Sequence, residues 1–135
     1  MNSRPEKAVD IYSSNCNCAQ AALAAFEDIT GLSQDTALRL ASPLGGGIGG
    51  MRLTCGALTG ASIAAGMARG YGYAPSPEEK KAVNSLVQEF ARNFKERFGA
   101  IDCASLLEKN ERDGLTERPC ARYVAGAVEI LEKML

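Results

Sequence analysis

The chain has 135 residues, a length typical of one domain, and a hydrophobic fraction of 46% supplies a core without disulfide or metal staples. Fifteen basic and sixteen acidic residues leave a net charge of −1, which gives nucleic acid or an anionic membrane no electrostatic footprint. The absence of histidine excludes Ser-His-Asp and Cys-His catalysis, His-containing zinc or iron sites and haem attachment through Cys-x-x-Cys-His, so any metal must sit on thiolate or carboxylate.

The opening Met1-Asn2-Ser3-Arg4-Pro5-Glu6-Lys7 leads into a helix-like stretch rather than an apolar leader. The one run resembling a membrane span, Leu53 to Ala68, is rich in Gly, Ala, Ser and Thr and falls short of the roughly 20 apolar residues a span needs. The expected location is therefore cytoplasmic, with no membrane insertion. In a reducing compartment, five cysteines point to metal or redox chemistry more than to permanent disulfides.

Apolar residues recur at three and four between Pro and Gly breaks, which predicts an all-α protein throughout residues 1–135, a single domain. A short helix covers about Glu6 to Tyr12. A second begins near Cys18 and carries Ala21, Leu23, Ala24 and Phe26 up to Gly31. A third follows the N-cap Ser33 and turns Ala37, Leu38 and Leu40 inward before Pro43. The run Gly45-Gly46-Gly47-Ile48-Gly49-Gly50 then leads to a helix from about Arg52 to Arg69. Gly56, Gly60, Ala64 and Ala68 lie at steps of four along it, so another helix can approach its backbone and this helix belongs at the centre.

Ser76-Pro77-Glu78-Glu79 combines an N-cap serine, a proline at the first helical position and a capping-box glutamate. The long helix that follows has Val83, Leu86, Val87, Phe90, Ala91 and Phe94 as its apolar stripe and ends at Gly99. Asp102 caps a short helix from Cys103 to Leu107. Pro119 opens the last helix, whose Tyr123, Val124, Ala127, Val128, Ile130 and Leu131 join the core. The expected architecture is a compact bundle of five to seven helices around the Gly/Ala-rich helix.

On this map Cys16, Cys18, Cys55, Cys103 and Cys120 all fall in or beside the first turn of a helix. A helix N-terminus carries about half a positive charge and unpaired N–H donors that favour thiolate over thiol. Each sulfur is therefore expected to be more acidic than a free cysteine. Short connections between antiparallel helices return the chain to one end at Cys18, Cys55 and Cys103. The charged loop from Glu108 to Arg118 allows Cys120 to join them without requiring it.

Cys18, the run Cys55-Gly56-Ala57-Leu58-Thr59-Gly60, Cys103 and Cys120 resemble the C_GCAxxG_C_C family of putative redox-active proteins, as do Asn17-Cys18-Ala19-Gln20 and the glycine run before Cys55. The resemblance spans nearly the whole chain and leaves Cys16 outside the pattern. It implies a small helical cytosolic protein with a redox role, and no established reaction comes with it.

Two chemistries compete with inert buried thiols, which would leave the bundle a structural or interaction module. In thiol–disulfide exchange one thiolate attacks and a second thiol resolves. Cys55 is the expected nucleophile because the glycine loop gives access to it, Cys18 is its resolving partner, and Cys103 and Cys120 complete the set. In the alternative, the same four are ligands for zinc or an iron–sulfur cluster, although their dispersion is unlike paired Cys-x-x-Cys sites. The glycine run is either a connection using positive φ or a backbone nest in which Gly46, Gly47, Gly49 and Gly50, with Arg52, hold an anion or admit a partner to Cys55. The physiological redox partner is not specified by the sequence. Small residues on two faces of the central helix make a homodimer an option. Tyr12, Tyr71, Tyr73 and Tyr123 are expected to pack or sit at the rim.

Overall fold

The computed structural model describes residues 2–135. Among them the chain forms eight α-helices and no strand: α1 (Arg4–Ser13), α2 (Cys18–Ala24), α3 (Glu27–Thr30), α4 (Gln34–Ala41), α5 (Gly56–Arg69), α6 (Pro77–Phe98), α7 (Cys103–Arg112) and α8 (Ala121–Met134). The all-α bundle is as expected. The count reaches eight because the stretch from Cys18 to Gly31 is two helices rather than one. Phe26 leaves helical geometry at φ −100°, ψ 26°, its N–H bonds back to Leu23 O, and its ring enters the core with no exposure. The helix breaks so that this ring can turn inward.

Local chemistry sets the boundaries. Ser3, Asn17 and Ser76 open α1, α2 and α6 with reciprocal capping boxes to Glu6, Gln20 and Glu79. Ser33 and Asp102 cap α4 and α7 through Thr36 and Ser105 N–H. Gly31 and Gly99 close α3 and α6 in the left-handed conformation.

Helix α5 is central, packing against α2, α3, α6 and α8. Its small residues are required at the α2 crossing: a Cβ on Gly60 would lie 2.2 Å from Ala19 O, and one on Gly56 would lie 2.6 Å from Cys18 Sγ. The two backbones therefore touch, and the start of α5 is pressed against the start of α2. At the opposite side Phe94, Phe98 and Tyr123 join α6 to α8. The Phe98 ring meets Tyr123 edge-on at 5.1 Å and occupies the space a side chain on Gly126 would need.

Two packing expectations are corrected. Leu40 is half exposed because α4 turns Ala37 and Ala41 inward instead. In α6 only Phe90, Phe94 and Phe98 are buried, while Val83, Leu86 and Val87 are partly covered, since the helix is longer than the neighbours it lies on. No helix among the described residues is long and apolar enough to cross a membrane.

Candidate functional site

Cys18 is the first residue of α2, Cys103 the first of α7, and Cys55 and Cys120 immediately precede α5 and α8. Three devices assemble the site around them. The first is the Asn17–Gln20 capping box, whose spare amides reach outward: Asn17 Nδ2 donates to Ser42 O and Gln20 Nε2 to Leu38 O. The start of α2 is thereby tied to the end of α4. The second is an isolated antiparallel bridge between Thr54 and Asp102, in which Cys55 N–H donates to Ile101 O at 2.8 Å and Cys103 N–H to Leu53 O at 2.6 Å. It holds the starts of α5 and α7 side by side.

The third device is the glycine run. Gly46, Gly47, Ile48, Gly49 and Gly50 all have φ between 58° and 76°, so five successive residues wind with left-handed sense. That conformation costs a non-glycine residue roughly 1–2 kcal/mol, which explains why four of the five lack a side chain. Ile48 and, after it, Arg52 at φ 62° are held there against that cost by the hydrogen bonds Arg52 N–H to Gly46 O and Leu53 N–H to Gly47 O. The turn is packed on its inner side. A Cβ on Gly47 would lie 2.5 Å from Leu53 N and 2.7 Å from Cys103 Cβ, whereas Gly49 and Gly50 face open space. The connection is thus an ordered turn against the cysteines, with Gly46 and Gly47 as its contacting residues.

The electrostatics differ from the expected uniform acidification. Cys18 is lowered to about 6, first by the hydrogen bond from the Cys55 thiol, against the opposing effect of burial, and then by the N–H groups of Gly46, Ala19 and Cys18 itself. Cys55 moves the other way, because its proton is held by the Cys18 sulfur, its site is buried and the Cys18 charge repels a second anion. Burial also raises Cys103, opposed by Arg52, whose Nη1 donates to Cys103 Sγ at 3.9 Å. Burial and the charges of Cys18 and Cys103 push Cys120 up to about 11. A helix start favours an anion, but at Cys103 and Cys120 desolvation outweighs both it and the donors they have. Only Cys18 has both the donor thiol and the glycine turn.

The acidity thus divides between the pair: the Gly46 N–H of the glycine turn reaches Cys18, which is lowered, while Cys55 is raised. All five cysteines are free thiols. The sequence matches a known family model, described as putative redox-active protein (C_GCAxxG_C_C), over residues 16–134. The chain belongs to that family. No curated protein and no solved structure matches it significantly.

Among the described residues, no three or more Cys, Asp or Glu side chains are arranged to hold a metal ion. The zinc or iron–sulfur alternative thus finds no ligand set in this geometry. Cys16 stands apart, its Sγ 4.0 Å from Ser14 O at the edge of a cleft.

Tyr12, expected only to pack or sit at the rim, and Asn110, which no motif marks, both reach Cys120. Tyr12 OH accepts the Cys120 N–H at 3.3 Å, and the buried Asn110 donates from Nδ2 to Cys120 Sγ at 3.9 Å. Tyr12 lies at the end of α1, distant in sequence from every cysteine but Cys16 and Cys18, and offered no local signal. Asn110 did offer one, as an amide seven residues after Cys103 on the same short helix.

Proposed function

We propose that the protein carries out thiol–disulfide exchange, with Cys18 as the attacking thiolate and Cys55 as the resolving thiol. The Cys18 thiolate forms a bond to one sulfur of a disulfide R–S–S–R′, the S–S bond breaks, and R′S⁻ leaves. The Cys55 thiol then gives up its proton to solvent or to the departing thiolate and attacks Cys18 sulfur, releasing RS⁻. Cys18 and Cys55 become a disulfide, and two electrons have passed to the substrate.

The observation that carries this reading is the pairing itself: the start of α5 is pressed against the Cys18 sulfur, so that a Cβ on Gly56 would lie 2.6 Å from it, and the hydrogen bond from the Cys55 thiol lowers Cys18 to about 6. That donor is the group required for the second step. Exposure supports the order of attack, since Cys18 keeps 9% of its surface and Cys55 only 4%. Reaction with an aromatic disulfide tests the assignment. The Cys55→Ser variant is expected to accumulate a mixed disulfide on Cys18, while the wild-type chain proceeds to a Cys18–Cys55 linkage identified by peptide mass. A stable adduct on Cys55 in the wild type, or no Cys18–Cys55 linkage, would overturn it.

A further inference from the structure

Helix α6 commits only part of its apolar surface to the core. Phe90, Phe94 and Phe98 are buried, while Val83, Val87 and Ala91, spaced four residues apart, stay partly exposed. Val87 and Ala91 form one side of an apolar groove of about 330 Å³, lined on the other by Leu58, Thr59 and Ser62 of α5 and closed by Ile101. No ionisable side chain lines it. At the joined end of the two helices Met67, Tyr71 and Tyr73 are exposed as well. Contiguous apolar surface of this kind is a mark of an interaction site.

The charges around the groove bear on what covers it. The row of residues four apart continues past the apolar stretch to an acid at one end and a base at the other: Glu79, Val83, Val87, Ala91, Lys95. Such a row is one ridge of a helix surface. Glu79 and Lys95 are both exposed, and neither forms an ion pair among the described residues. No residue three or four positions from either carries the opposite charge, so the helix offers them no partner of its own. Glu79 Oε1 accepts the Ser76 N–H at 3.0 Å, which leaves the second carboxylate oxygen for another donor. A ridge that is acidic at one end, apolar in the middle and basic at the other is complementary to itself when turned end for end.

We propose that the α5–α6 face is a homodimer interface, in which the α6 ridge packs beside the same ridge of a second copy in antiparallel order about a two-fold axis at Val87. Ridges of this kind interdigitate in the commonest class of helix packing, with axes crossing at about 50°. The two-fold axis makes each contact occur twice. Glu79 meets Lys95 of the partner subunit, and Lys95 meets Glu79 of the partner subunit. Between these ends Val83 of the partner subunit lies over Ala91, whose small side chain leaves the groove open, and Val87 meets its own counterpart. A parallel pairing would set like charges together at both ends and is disfavoured. The interface does not depend on the exchange chemistry, since no cysteine lines the groove.

The experiment is sedimentation equilibrium of the full reduced chain between about 5 and about 500 µM, at about 0.1 M salt. The expected result is a reversible rise from the 14.3 kDa of one chain to twice that mass. Glu79→Lys and Lys95→Glu should each weaken self-association about tenfold, since each turns both end contacts from attractive to repulsive. An equimolar mixture of the two variants should recover association, because in the mixed pair every end contact again joins opposite charges. That recovery cannot arise from a repaired helix cap, so it separates an interface from damage to the start of α6. Val87→Glu brings like charges together at the axis and should weaken association about 100-fold with helical circular dichroism unchanged. A chain that stays at 14.3 kDa throughout overturns the proposal. So does a dimer that the charge variants leave unchanged, or a mixture that associates no better than its components. A monomer whose groove takes up an apolar dye, and loses it in Val87→Glu, also overturns it and gives the face to a small apolar ligand.

Discussion

Replacing Cys55 by alanine removes the principal donor to the Cys18 sulfur while leaving the glycine turn and the start of α2 untouched. A hydrogen bond to a charged group contributes about 1.5–3 kcal/mol, which corresponds to roughly one to two units of acidity. The Cys18 midpoint, about 6 in the intact pair, should therefore rise to between about 7 and 8 in Cys55→Ala. Cys55→Ser keeps an O–H donor at the same position and should stay within about half a unit of wild type. Alkylation rate against pH at Cys18, cross-checked by thiolate absorbance, reads the midpoint directly. The reactivity gain at pH 7 is smaller than the thiolate fraction suggests. A thiolate with pKa near 6 is about nine-tenths ionised against roughly one-hundredth for an ordinary thiol, yet its intrinsic nucleophilicity is lower by about 20-fold. The net advantage is about fourfold, and the midpoint is the sharper readout. An unchanged midpoint in Cys55→Ala, or a wild-type Cys18 titrating near 9, would refute the pairing.

Other consequences follow from the same geometry. Because folding lowers the Cys18 pKa, its contribution to stability is fully present above the unfolded value near 9 and is lost as pH falls toward 6. Urea midpoints should show that loss in wild type and lack it in Cys18→Ser. Gly60→Ala forces a Cβ to within 2.2 Å of the Ala19 carbonyl oxygen and must separate α2 from α5; a loss of about 3 kcal/mol or more in urea denaturation is expected, at the upper end for overpacking. Gly47→Ala should cost more than Gly49→Ala: both residues are left-handed, but only Gly47 meets backbone at 2.5 Å. The difference should be on the order of 1–3 kcal/mol by thermal or urea melts, and equal losses would mean that strain alone governs the turn. Asn17→Ala removes a capping box and the link to Ser42, with an expected loss of about 1 kcal/mol and a slower Cys18 alkylation at pH 7.

Much of this architecture is legible in local sequence. Ser33, Ser76-Pro77-Glu78-Glu79, Asp102 and Gly99 mark helix ends where the structure has them, because caps depend on backbone groups within a few residues. The spacing of Gly56 and Gly60 likewise reports the close α2–α5 approach. What escaped local reading depends on tertiary partners. The break at Phe26 answers the demand of the core for an aromatic ring. The uneven acidity of the cysteines follows from the balance at each sulfur: Cys55 is raised because its proton is held by Cys18, and burial prevails at Cys103 and Cys120 in spite of their donors. Tyr12 could be found only by seeing where α1 ends relative to α8.

The left-handed turn has a bearing on how the reactive sulfur comes into being. Gly46 offers its N–H to Cys18 from a run, residues 46–50, wound the wrong way for L-amino acids and packed through Gly47 onto Cys103, about fifty positions downstream. Under the proposed exchange chemistry, a chain cut short before Cys103 would lack the contact that backs Gly47 and the bridge partner of Leu53, and its Cys18 should titrate closer to an ordinary thiol.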